Sequence, residues 1–135
     1  MPNATVPAAI YSILSSDTTL MSLVGGVYRN IGPKSATYPF VVYQHISSND
    51  TYTLTQRVSE PARYQIKVID KGYSAVNAKT ALTRIDALLT DQDLDVSGKE
   101  TWVVRRRGEF EYVQMGEFGV VYQHVGANWM IEMGS

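Results

Sequence analysis

Arg63-Tyr64-Gln65-Ile66-Lys67-Val68, followed after Gly72 by Ser74 to Leu89, is the stretch on which the fold turns. In Tyr64 to Val68, large apolar side chains alternate with polar ones, the period of two that marks a strand with one wet face. Gly72 permits backbone angles that a side chain would forbid, and Ser74 stands where a cap should accept the first free helix amides. The spacing therefore predicts a helix from Ser74 on. Ala78, Ala81, Leu82, Ile85, Leu88 and Leu89 fall on one stripe, with Asn77, Thr80, Thr83, Arg84 and Asp86 opposite. Such a stripe needs a sheet to cover it. Burying Leu82, Ile85, Leu88 and Leu89 is worth roughly 1.5–3 kcal/mol each before conformational entropy is subtracted.

Upstream, Pro7 suits the first turn of a helix, and Ile10, Ile13 and Leu14 continue it to about Ser16. Asp17 can cap a second short turn in which Leu20, Leu23 and Val24 point inward until Gly25-Gly26 ends it. Val27 to Ile31 reads as a short strand, and the β-branched and aromatic run Tyr38 to Ile46 as a central one. Ser47 to Glu60 reads as an irregular polar arm or edge strand. Downstream, Asp91 to Gly98 has the composition of a surface loop. Thr101 to Arg107 and Glu109 to Gln114 read either as two strands of a hairpin or as one strand bent at Gly108, and Gly119 to Val125 as a buried strand that Trp129, Ile131 and Met133 extend. The sum is an α+β layer: a largely antiparallel or mixed sheet of four to six strands with two or three helices on one face. The pentapeptide Val41-Val42-Tyr43-Gln44-His45 recurs as Val120-Val121-Tyr122-Gln123-His124. Without a second copy of the long helix, this reads as two strands in similar environments, not as a duplication.

The 135 residues, 44% hydrophobic, support one core and hence a single domain over 1–135. Twelve Lys and Arg against thirteen Asp and Glu leave a net charge of -1, too little for a global field toward nucleic acid or an anionic membrane, so any DNA contact has to be local. The absence of cysteine excludes disulfides and thiol chemistry. No apolar run reaches the ~18 residues of a membrane span and the N-terminus has no basic leader, so a soluble, unexported protein is expected.

Catalytic motifs are missing from the pattern. His45 and His124 end the two echoed strands but lack a third ligand at metal-binding spacing, and read as sheet-end residues bonded to backbone or water. Glycine pairs lack the Lys-Ser of a phosphate loop, and no nucleophile elbow is present. The densest charge is Arg105-Arg106-Arg107. Strand alternation sends Arg105 and Arg107 to one side and Arg106 to the other, and a strand continuing through Gly108 puts Glu109 and Glu111 with Arg105 and Arg107. A solvated or ion-paired face is the plain reading of this cluster, and phosphate binding the alternative.

In their order, Leu23-Val24-Gly25-Gly26-Val27-Tyr28, then Tyr38-Pro39-Phe40-Val41-Val42-Tyr43-Gln44-His45-Ile46-Ser47, then Arg63 to Val68 and the helix led by Tyr73 resemble the tail-completion, or tail-terminator, proteins of long-tailed bacteriophages. The resemblance spans Ile10 to Leu89; the C-terminal third matches only as strands. It implies a non-enzymatic virion protein without cofactors that caps the tail tube as a ring, usually a hexamer, ends tail elongation and offers the head-joining surface. Its implied partners are copies of itself, the tail tube protein, a head-completion protein and the DNA passing through the lumen without sequence-specific binding, and no membrane. The implied location is the head-proximal end of the virion tail, with assembly in the host cytoplasm. A head-side connector is the nearest alternative, and a small DNA-binding module using Arg105 to Arg107 a more distant one. For a ring contact or lumen, the candidate residues are Tyr52 and Arg57 in the arm and Arg105, Arg106, Arg107, Glu109 and Glu111 beyond the long helix.

Overall fold

The strand and helix that open the sequence reading form the middle of the molecule: β5 (Ala62–Lys71) is the central strand of a five-stranded sheet, and α3 (Val76–Leu89) packs across it. The computed structural model describes residues 6–48, 51–52, 57–59, 62–90 and 101–133. The remaining elements are α1 (Val6–Ser16), α2 (Thr18–Leu23), β1 (Val27–Arg29), β2 (Phe40–Ser48), β3 (Thr51–Tyr52), β4 (Arg57–Ser59), β6 (Thr101–Met115) and β7 (Val121–Met133). The main sheet runs β1-β2-β5-β7-β6, with β1 parallel to β2 and every other pair antiparallel. Its edges are the short β1 and the long β6. β3 and β4 pair as a separate ribbon inside the predicted arm. The expected loop at Asp91 to Gly98 lies outside the described residues.

All three helices cover the same face of this sheet, as their shared buried cluster shows: Ile10, Leu14, Leu20, Ala81, Leu82, Ile85 and Leu89 meet Val41, Tyr43, Tyr64, Ile66, Val125, Ala127, Trp129 and Ile131. The helix layer is fixed by one charged joint. Asp17 caps α2 by accepting the Leu20 amide at 2.8 Å and also accepts two hydrogen bonds from Arg84 of α3, at 2.8 and 2.7 Å. This bidentate guanidinium clamp holds the Asp17 carboxyl down at about 2, from an ordinary 3.8. The expected cap at Ser74 is displaced by one turn position: Ser74 Oγ accepts the Val76 amide at 3.2 Å, but the helix itself begins at Val76, after Ala75.

The echoed pentapeptides turn out to face opposite ways. Val41 and Tyr43 point into the core, and pairing puts Val121 and Gln123 on that same helix-covered side, so Tyr122 and His124 point away from it. Equal letters thus answer to unequal environments, because a shift of one position in a strand reverses every side chain.

Candidate assembly surfaces

β6 and β7 form one long hairpin, closed by the turn at Glu117 to Gly119, and β6 is an edge strand of the sheet, with no strand paired to its outer side among the described residues. The strand is single and bent, as one of the two sequence readings had it, and the bend is a bulge: the register slips between Arg106 and Gly108, where Gly108 has φ +156°. That slip corrects the placement of the acids. Arg106 pairs opposite Trp129, Glu109 opposite Ala127 and Glu111 opposite Val125, so all three stand on the helix side. Glu109 and Glu111 therefore join Arg106 and not Arg105 and Arg107, because the extra bulge residue inverts the alternation beyond it. Arg106 Nη1 lies 3.1 Å from Glu109 and 3.5 Å from Asp86 of α3, and Lys79 lies 3.2 Å from Glu111. These pairs line a groove between α3 and β6 whose charges are already matched. They are surface pairs worth about 0–1 kcal/mol each, and with two carboxylates on it Arg106 is a poor phosphate ligand.

The end of the hairpin is apolar and exposed. Val113, Met115 and Phe118 are open to solvent, Phe118 at 97%, and Tyr73 and Val76 join them. The Gly72 amide donates to the Val121 carbonyl at 2.8 Å, which brings the turn before α3 alongside the hairpin end. Phe118 also has φ +59°, a left-handed conformation that costs a side-chain-bearing residue energy and that Gly, Asn or Asp would adopt more readily. A bulky apolar residue thus sits where both solvent and backbone disfavour it. Sequence reasoning passed over this patch. The available signal was an aromatic residue inside Gly116-Glu117-Phe118-Gly119, a composition otherwise suited to a polar turn.

The second surface is the sheet face turned away from the helices. On it Gly126 is buried against its neighbours: a Cβ there would meet the Ile66 carbonyl oxygen at 2.7 Å and the Phe110 ring at 2.7 Å, so the ring lies over bare backbone. Beside it His124, 5% exposed, stacks on Tyr112 with ring centroids 4.5 Å apart, and its Nε2 lies 2.7 Å from Gln114 Oε1. Since Gln114 Oε1 only accepts, Nε2 carries the proton and Nδ1 is left as a buried acceptor with no hydrogen-bond partner. Burial, then the charge of Lys67, pushes this imidazole down to about 4 from 6.5.

Two acid-sensitive groups follow from these contacts. The unfolded chain takes a proton at His124 below about pH 6.5 while the folded chain resists it to about 4, so stability falls as the pH drops through that window. Asp17, depressed to about 2, contributes stability above 3.8 that disappears only below it. Urea unfolding at pH 7 and pH 4.5 is expected to differ by about 1–3 kcal/mol from His124, and His124→Phe should remove most of that difference.

His45 and His124 do not form a pair. His45 packs against core-facing Tyr64, ring centroids 5.0 Å apart and the planes tilted by 44°, on the helix side, and His124 is on the other face. Arg107 reaches that same bare face, its guanidinium 3.9 Å from Met130 Sδ. Tyr52 and Arg57 lie in the β3–β4 ribbon and are not brought to β6 by any pairing among the described residues; their side chains, and that of Arg105, lie outside the described residues.

A long edge strand and an exposed apolar hairpin end point to contacts with other proteins. The family model for tail completion protein gp17 matches residues 8–112. The chain belongs to the gp17 tail completion family. It is a phage tail-assembly protein, and its match runs past the long helix into β6, farther than the sequence motifs reached. No curated protein sequence matches the chain. Among solved structures, this tail completion fold is similar to a chain in the virion of a native gene transfer agent particle, at 20% identity over 98% of both chains and a TM-score of 0.80. It is also similar to the gp17 protein of bacteriophage SPP1, at 23% identity over 94% of this chain and 88% of that one, with a TM-score of 0.59.

Proposed function

We propose that the chain caps the tail tube as a head-to-tail ring, most simply a hexamer, stopping elongation and presenting the surface that the head side joins. The family match over residues 8–112 carries this reading. The fold shared with a chain of an assembled virion particle supports it, as does the distribution of unsatisfied surface. A closed ring with one contact type needs two different faces on each copy, and an open edge strand of fifteen residues is a template for a neighbour. The exposed hairpin end with Phe118 and Met115 is a third surface, suited to the tube or to the head-side protein. Within this reading Arg107, Glu109 and Glu111 serve neighbour contacts or the lumen, while Arg106 holds the α3–β6 groove. Tyr52, Arg57 and Arg105 belong to the same proposed surfaces.

The test is assembly in vitro. Purified chain added to growing tail tubes should shorten them to a defined length and add a ring at one end visible by negative-stain microscopy. Tubes that continue to grow, with bare ends, would sink the reading. A ring bound only to the head portal and never to tubes would select the connector role in its place.

A further inference from the structure

The sheet face away from the helices carries four basic residues in register. Arg63, Lys67 and Lys71 recur every fourth residue along β5, and Arg107 of β6 joins them at Met130. Among the described residues their partners on this face are neutral: Lys67 Nζ lies 3.2 Å from the Tyr112 hydroxyl and 5.8 Å from its ring centroid, and Arg107 contacts the Met130 sulfur. Pairing places no acid on this face from Phe40 to Ile46, Arg63 to Lys71, Tyr122 to Met130, or Arg107 to Gln114, since Glu109 and Glu111 fall on the other side of the bulge. The helix side is the opposite case, with Lys79, Arg84 and Arg106 each held by a carboxylate. Strand alternation puts one acid on this side among the described strands, Glu132 at the end of β7, so a chain of net charge -1 has kept the stretch of this face alongside Lys67 and Lys71 free of acids, and the described helices leave it uncovered.

We propose that this face binds the phosphodiester backbone of duplex DNA, without reading sequence, through Arg63, Lys67, Lys71 and Arg107. Unpaired cations spread over about 25 Å of strand, at about 3.3 Å per residue, suit a rod of repeating phosphates better than one compact anion. Tyr112, Gln44, Gln65 and Gln114 between them supply neutral hydrogen-bonding groups to phosphate and sugar. The assignment rests on the capping reading in one respect: a ring on a tube through which DNA passes would turn this face to the channel.

The experiment is fluorescence anisotropy of the whole chain with a labelled duplex of about 20 base pairs across a salt series. The wild type is expected to bind at low salt with a log-log slope between about -3 and -4, from four phosphate contacts, and equally on unrelated sequences. Lys67→Glu with Lys71→Glu should weaken binding by about tenfold or more and lower the slope by about 2. Lys71→Glu with Arg107→Glu should do the same, and serves if the first variant misfolds. Arg29→Glu with Lys34→Glu, an equal charge change away from this face, should leave the slope unaltered. No binding at low salt, equal loss in the control, or displacement by polyglutamate as effective as by duplex would each overturn the assignment. A chain that caps tubes yet fails here loses the DNA face and keeps the capping role; one that binds duplex through this face but never caps tubes does the reverse.

Discussion

Replacing Trp129 by alanine is expected to remove about 3–5 kcal/mol, a large share of the 5–15 kcal/mol typical of a domain, and to leave a substantially unfolded chain. Trp129 is fully buried in the middle of β7, between the strands opposite Tyr64 and Arg106, so no neighbour can close the cavity without moving the sheet. Its indole also does polar work: Nε1 donates to Thr90 Oγ1 at 3.0 Å, and Thr90 in turn donates to Asp86 at 2.5 Å, the carboxylate that faces Arg106. Trp129→Phe keeps most of the ring and loses that donor, so it should cost less than alanine. Thr90→Val, which leaves the indole N–H buried without an acceptor, should cost about 1–3 kcal/mol. Urea unfolding followed by circular dichroism orders the three; a Trp129→Ala chain as stable as wild type would mean that the described core is wrong.

Phe118→Asp is expected to separate folding from assembly completely. The substitution removes an exposed aromatic and places at φ +59° a residue that tolerates the left-handed region, so the melting temperature should hold or rise slightly. Tube capping, by contrast, should be lost, because a charge replaces the exposed aromatic at the tip of the hairpin, whose end also exposes Met115 and Val113. Tail-length distributions from negative-stain images, collected with wild type and variant at equal concentration, provide the readout. Tails of normal length with Phe118→Asp would show that the hairpin end touches neither tube nor cap partner. The pairing of a neutral stability effect with a total loss of capping distinguishes a contact residue from one merely required for folding.

The α+β class, the first and the long helix, the Asp17 cap and the inward stripe of α3 were legible from residue order, because each depends on neighbours within four positions: a period of two or of 3.6, a cap three residues from its amide, a glycine at a turn. The family resemblance was legible for the same reason, being an ordered set of such local patterns. What the tertiary structure alone decided is which way those patterns face and what covers them. One bulge residue at Arg107 moved Glu109 and Glu111 to the helix side, away from the basic residues of the opposite face, and the slip is set by pairing with β7. The echoed pentapeptides took opposite faces on the same grounds, and Phe118 became a surface feature only once β6 and β7 closed into a hairpin projecting its turn into solvent. Side-chain direction in a strand is a parity, and parity is counted from partners that the linear sequence does not name.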